Sequence, residues 1–213
     1  MKKLFFIALV CVTSHFTVKA QNTRFGFTAG TTFNNYKAKA DSTNESGKPK
    51  TGITIGVLVD IPVSKHFSFQ PAVNFLQKRT TDEETPGGGT RLSVNCIEVP
   101  LNFLYNTRGN SGNFFIGAGP SVAIALSGKY KISDDVNPPV SLDVKFGKGD
   151  DDNMKRLDMG ANFMTGYCFS NGLFLSANYN MGLSNLFPGG STDGTLKSHY
   201  FGIKLGYLLK GKK

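Results

Sequence analysis

The sequence has little of what most enzymes and small secreted domains depend on. It contains no tryptophan, three cysteines and three histidines among 213 residues. So few cysteines exclude the dense disulfide framework that holds small exported domains together. Gly117 and Gly119 form half of a dinucleotide-binding motif, but its third glycine is missing. We therefore expect no enzyme activity, cofactor or metal site.

Charged residues are also scarce, at 18%, and the chain has no long charged helical runs. Glycine (25 residues) and phenylalanine (18 residues) are abundant, which favours β-structure over a helical bundle. The formal net charge of +9 is dispersed rather than gathered into a stripe with aromatic residues. This dispersion argues against a nucleic-acid partner.

The first twenty residues have the layout of a secretory signal peptide. Lys2 and Lys3 precede a short apolar stretch over residues 4–12, and Ala20 ends a suitable cleavage site before Gln21. The apolar stretch is too short for a membrane anchor. Acylation at Cys11 is the other alternative, but the residues before Cys11 match a lipoprotein signal poorly. We therefore expect residues 1–20 to be removed on export.

Apolar and small polar residues alternate along the rest of the chain. Ile53, Ile55 and Val57, for example, alternate with threonine and glycine. A period of two predicts β-strands with one apolar face and one polar face. Eight such segments occur, beginning near residues 25, 53, 67, 97, 114, 157, 173 and 201.

The lengths of these segments and of their connections point to a membrane barrel. About five apolar positions give about ten residues per strand, enough for a tilted strand to cross the hydrocarbon layer. Long connections alternate with short turns: 37–50, 78–90, 129–155 and 184–196 are long, and 62–65, 106–112 and 170–172 are short. The predicted fold is an all-β, eight-stranded antiparallel up-and-down transmembrane β-barrel over residues 21–213. It would contact membrane lipid in the bacterial outer membrane, with its short turns in the periplasm.

A soluble barrel of the lipocalin type is the competing architecture, because its strands also alternate. Its polar face would meet water and would normally carry many charges. In this chain the polar face consists mostly of glycine, alanine, serine, threonine and asparagine. Such small residues suit the crowded interior of an eight-stranded membrane barrel.

One strand carries a resemblance to a known family. The segment Ile97-Glu98-Val99-Pro100-Leu101 resembles a strand of the PorT-type outer-membrane β-barrel family. Segments 117–121, 158–160, 179–186 and 202–207 are similar to that family's strand ends, so that the resemblance covers nearly all of the exported chain. It implies a barrel fold and, for a smaller set of relatives, a link to a secretion system. The chain departs from the pattern by ending on lysines rather than on an aromatic residue.

Two classes of function remain. The first is a non-enzymatic barrel that engages another protein of the envelope. The alternative is a narrow transporter of a small or hydrophobic compound. An eight-stranded barrel leaves an interior filled by side chains, which disfavours a wide aqueous channel.

Three sets of residues carry more specific expectations. Glu98 and Lys204 both occupy alternate positions whose side chains should face the barrel interior. They are predicted to form an interior charge pair, with each other or with a neighbouring asparagine or arginine. Cys96 and Cys168 lie at different heights and should be free thiols. In the longest connection, alternation predicts a further strand above the membrane that could bind a partner or simply extend the barrel wall; its apolar positions are Val140, Leu142, Val144 and Phe146.

Overall fold

The computed structural model describes residues 23–40, 43–85, 88–107, 109–133, 138–149, 151–188 and 194–209. The predicted signal peptide lies outside them. Within these ranges, no helix has the length and apolar character needed to cross a membrane.

The described residues form ten β-strands. Eight are long and two, β2 and β7, have four residues each. The strands are β1 (Arg24–Ala40), β2 (Thr43–Ser46), β3 (Lys48–Pro62), β4 (Phe67–Thr85), β5 (Gly88–Asn106), β6 (Gly112–Ser133), β7 (Val140–Asp143), β8 (Leu157–Phe169), β9 (Leu173–Gly182) and β10 (Gly194–Leu208).

The eight long strands close into a ring in which every neighbouring pair is antiparallel. Their order around the ring is β1, β3, β4, β5, β6, β8, β9 and β10, and β10 pairs with β1 from Gly26↔Leu208 to Ala40↔Gly194. Closure leaves no long unpaired edge, so that the backbone groups of the wall are satisfied within the sheet. This confirms the predicted eight-stranded up-and-down barrel.

The alternation along the strands sorts side chains between the outside and the inside of the ring. Outward apolar residues such as Phe25, Ile55 and Phe103 remain about 60% exposed, whereas their sequence neighbours face inward and are buried. Aromatic residues gather on the outer wall beside the short turns, in contacting pairs such as Phe67 with Tyr105 and Tyr167 with Phe169. An apolar band bordered by aromatic residues is typical of a barrel surrounded by lipid.

The short turns lie where the sequence predicts them. Residues 63–66, 107–111 and 170–172 connect β3 to β4, β5 to β6 and β8 to β9. In the last of these, Gly172 has a φ of 97° and the Asn171 side chain accepts a hydrogen bond from the Leu173 N–H at 2.9 Å. A positive φ favours glycine, which explains why this residue type ends the turn.

Two of the predicted long loops are instead mostly strand. Residues 37–50 belong largely to β1, β2 and β3, and residues 78–90 to β4 and β5. Their polar composition indicated loops, but their backbones continue the ladders beyond the lipid-facing band, as in the pairs Thr80↔Leu92 and Thr81↔Arg91. The wall therefore extends beyond the lipid-facing band on the side formed by β10, β1 and β3–β6.

Candidate functional site: the lumen and the external hairpin

An ion pair crosses the lumen above its centre. The Lys78 ammonium on β4 donates to Asp158 Oδ2 on β8 at 2.8 Å and to Ser198 Oγ on β10 at 2.9 Å. The Lys78 and Asp158 side chains are only 3% and 12% exposed. Because β5 and β6 separate β4 from β8 in the ring, this contact joins opposite walls.

A second layer is organised around Glu98 on β5. Its carboxylate accepts a hydrogen bond from the Tyr200 hydroxyl at 2.6 Å and from Asn180 Nδ2 at 3.2 Å. Asn180 Nδ2 also donates to Ser121 Oγ at 2.6 Å. Glu98 and Tyr200 are each 2% exposed. Burying a carboxylate is costly, and these donors offset much of that cost.

A third layer consists of asparagines. Asn162 Nδ2 donates to Asn102 Oδ1 at 2.9 Å, and Asn178 Nδ2 donates to Asn162 Oδ1 at 3.2 Å. Glycine makes room for these side chains on the neighbouring strand: a Cβ added at Gly202, which is paired with Asn178, would lie 2.6 Å from the Asn178 Oδ1 atom. This explains why glycine and asparagine recur at inward positions of the sequence.

Glu98 and Lys204 line one cavity of about 30 Å³, as their predicted approach requires. Among the residues described, however, no hydrogen bond or ion pair joins them, and the carboxylate is bound by Tyr200 and Asn180 instead. The direct pair is therefore not formed, whereas an asparagine does contact Glu98. The cavity has room for about one or two water molecules, which its polar lining could bind. Energetic coupling between the two charges stays a prediction.

Apolar clusters close the lumen at both ends. We call the cluster beside the short turns, at the end predicted to face the periplasm, the periplasmic plug; it consists of Leu58, Leu104, Phe115, Cys168, Phe174 and Leu208. The external cap, at the opposite end, consists of Tyr36, Leu92, Val94, Cys96, Ala123, Ala125, Val144, Met154 and Leu186.

The two cysteines lie in different clusters, Cys96 in the external cap and Cys168 in the periplasmic plug, and both are free. This places them near opposite ends of the lumen, as their sequence positions predict. In the part of the chain that the structure covers, no group of three or more histidine, cysteine, aspartate or glutamate residues could hold a metal ion.

The longest predicted loop divides into two structures. Its first part is a hairpin in which β7 pairs with the end of β6, from Lys129↔Asp143 to Ile132↔Val140. We call residues 128–133 and 138–143 the external hairpin. Its second part, residues 144–149 and 151–156, packs onto the barrel: Val144 is buried in the external cap and Phe146 packs against the cap.

The four apolar residues predicted to share one strand face therefore have two environments. Val140 and Leu142 are 54% and 51% exposed, whereas Val144 is 7% exposed. The expectation of one continuous strand over these residues is wrong, because β7 ends at Asp143. The Val144 N–H still donates to the Gly128 carbonyl at 2.9 Å, next to the last β6–β7 pair, and this position buries the Val144 side chain in the cap.

A β-bulge sets the direction in which the external hairpin faces. Asn95 pairs with Ser127 and Cys96 with Ala125, so that Leu126 is an extra residue in β6. One extra residue reverses the alternation, and Tyr130 consequently points inward and packs against the external cap. Since Leu142 pairs with Tyr130 and Val140 with Ile132, these side chains share the inward-directed face of the hairpin.

Sequence reasoning missed the most strongly bonded groups of the lumen. Residue 78 begins one of the predicted long loops, and the sequence analysis predicts neither the pairing of Lys78 with Asp158 nor the contact of Tyr200 with Glu98. The signal that could have found Lys78 is the two-residue alternation: Lys78 follows Asn74 and Leu76 at every second position of β4, and Asn74 and Leu76 are both buried. Alternation along one strand does not predict which side chains pair across the lumen.

The chain matches the family described as outer membrane protein beta-barrel domain over residues 19–188. No curated protein matches it in sequence.

Among solved structures, it is similar to the attachment invasion locus protein Ail of Yersinia pestis, with 15% identity, a TM-score of 0.45, and coverage of 89% of this chain and 99% of Ail. Neisserial surface protein A is 12% identical, with a TM-score of 0.41 and coverage of 86% and 96%. The N-terminal barrel of Pseudomonas aeruginosa OprF is 8% identical, with a TM-score of 0.37 and coverage of 89% and 98%.

Proposed function

The chain belongs to the outer membrane protein beta-barrel domain family, and from this premise we propose that it is a non-enzymatic outer-membrane barrel that binds another envelope protein through its external hairpin. The observation that carries the proposal is the exposure of β7. All four of its residues are exposed, and within the described ranges β7 pairs only with β6. Its other edge is therefore open to an added strand.

An open edge offers main-chain groups to a partner. Unpaired N–H and C=O groups on an edge strand form hydrogen bonds with an extended segment of a second protein, and alternate side chains select that segment. A four-residue edge is short enough to remain soluble when nothing is bound to it.

The side chains of the hairpin supply the apolar part of the contact. Ile132, Val140 and Leu142 are 45%, 54% and 51% exposed, and they lie on one face. Ser141 and Asp143 occupy the alternate positions of β7 and keep its other face polar. An extended segment with apolar residues at every second position would match this surface.

The lumen supports a binding role over transport. Side chains from opposite walls are bonded across it, apolar clusters close both ends, and two cavities in its described part have volumes of only about 30 and 10 Å³. A narrow transporter would need these layers to separate during each passage. The PorT-type resemblance makes components of a secretion system the first partners to test.

Site-specific crosslinking in native envelopes tests the proposal. A photoreactive residue at Leu142 should give a discrete protein adduct, and one at the lipid-facing Ile55 should not. The double substitution Val140→Asp and Leu142→Asp should abolish co-purification of the crosslinked protein, because it places charge on the apolar face. Ser141→Asp, which adds charge to the other face, serves as the control. A partner that both variants retain equally, or adducts that are the same at both positions, would overturn the proposal.

A further inference from the structure

Cations stand above the lipid-facing band on several neighbouring strands. Lys37 lies four residues beyond Phe33 on β1, Lys197 four residues before Phe201 on β10, and Arg79 four residues beyond Phe75 on β4. Four residues span about 13 Å along a strand, or about 10 Å along the axis of a barrel whose strands tilt by about 40°. This height corresponds to the headgroup layer rather than to the hydrocarbon.

Two pairs of outward cations lie directly opposite each other in the ladder. Lys37 pairs with Lys197 across the β1–β10 seam, and Arg91 pairs with Lys131 across the β5–β6 seam. Directly opposite residues have Cβ atoms about 5 Å apart, and like charges at that distance destabilise a sheet. Both pairs lie on the outer face, since the adjacent residues Tyr36, Ser198 and Leu92 are buried inside. We call Lys37, Lys197, Arg79, Arg91 and Lys131 the cationic belt.

No ion pair of a belt cation is found among the side chains that the structure describes. The ion pairs found there are Arg24 with Asp60, beside the short turns, and Lys78 with Asp158 inside the lumen. The Arg79 Nε atom is buried and has no hydrogen-bond partner. Lys129 differs from the belt, because its directly opposite neighbour is Asp143.

We propose that the cationic belt binds the phosphate groups of lipid in the outer leaflet of the membrane. Arg79, Arg91 and Lys131 lie on the adjacent strands β4, β5 and β6 and together present three cations to one surface. Phosphate oxygens accept several hydrogen bonds and would relieve the like-charge contacts. The belt continues the lipid-facing surface of the same strands, which favours a lipid phosphate over a soluble polyanion.

The test uses the full chain, folded in zwitterionic phospholipid nanodiscs and titrated with phosphorylated lipid A, dephosphorylated lipid A or soluble pyrophosphate. Bound ligand is measured by native mass spectrometry at two salt concentrations. The two belt variants are Arg91→Gln with Lys131→Gln, and Lys37→Gln with Lys197→Gln. The matched control combines Lys129→Gln with Lys148→Gln, an exposed lysine in the segment over the barrel.

We expect the unmodified chain to retain phosphorylated lipid A in a salt-dependent manner and to bind the other two ligands weakly. Each belt variant should lose about thirtyfold in affinity, since a cation near an anionic surface contributes about a fivefold effect. The control should lose little. Equal retention of dephosphorylated lipid, equally tight binding of pyrophosphate, or belt variants indistinguishable from the control would each overturn the proposal. Heat-modifiable migration verifies that every variant is folded.

Discussion

The membrane-spanning wall and the external hairpin have the same two-residue alternation, but the apolar face of the wall points outward and that of the hairpin points inward. In the wall, β6 presents Phe114, Ile116 and Ile124 outward to lipid. Beyond the bulge at Leu126, the same strand directs Tyr130 inward onto the external cap. One extra residue thus removes apolar side chains from the outer surface at the height where the surrounding lipid ceases to be apolar.

The two regions also differ in what holds them. The wall has a neighbour on both sides of every strand and hydrogen bonds across the lumen. The hairpin has one β6–β7 ladder of four residue pairs, and its apolar side chains are half exposed. The stability of the barrel should therefore depend on the contacts in the lumen. Binding of a partner protein should depend on the hairpin. The predictions below test this division.

The largest effect is expected from breaking the ion pair across the lumen. Lys78→Ala leaves the Asp158 carboxylate without its cation in a site that is 12% exposed, and should lower the free energy of unfolding by about 3–5 kcal/mol. Urea unfolding in lipid vesicles measures it. Lys145→Ala, at an exposed lysine, is the control. A loss of unfolding free energy no greater than that of the control would show that the pair contributes nothing. The double variant Lys78→Met with Asp158→Leu should recover most of the stability.

An intermediate effect is expected for Glu98 and Lys204. Both line the 30 Å³ cavity, so that a water molecule between them can couple the charges without a direct contact. Glu98→Ala and Lys204→Ala should each destabilise the barrel, whereas the double variant should cost about 0.5–3 kcal/mol less than their sum. Unfolding of the four proteins under the same conditions gives the coupling energy. Strictly additive losses would show that the two groups are independent.

The wall could be predicted from the sequence because its environment is uniform. Lipid on one side and a crowded lumen on the other require strict alternation, which residues such as Ile53, Ile55 and Val57 display without interruption. The short turns could be predicted for a similar reason, since Gly172 and Asn171 have conformational preferences that act locally.

The lumen contacts and the hairpin could not be predicted in the same way. The contact of Glu98 with Tyr200 joins residues that are 102 positions apart. It depends on the order of the strands around the ring and on how far each strand is shifted relative to its neighbours. The bulge at Leu126 inserts an ordinary apolar residue and carries no turn signal. Residues 78–85 are polar enough to indicate a loop, yet pairing with β5 keeps them extended, and β3 pairs with residues 79–81 on the other side.

The smallest effect on stability is expected at Leu142 on β7 of the hairpin. Leu142 is 51% exposed and Val144, two residues later, is 7% exposed. Leu142→Asp should therefore change the free energy of unfolding by at most about 0.5 kcal/mol. Val144→Asp buries a charge in the external cap and should cost several kcal/mol. Both variants are compared by urea unfolding and by heat-modifiable migration. Equal losses at the two positions would mean that the hairpin is as much a part of the barrel core as the cap is, and the separation of a rigid wall from an exposed binding edge would then fail.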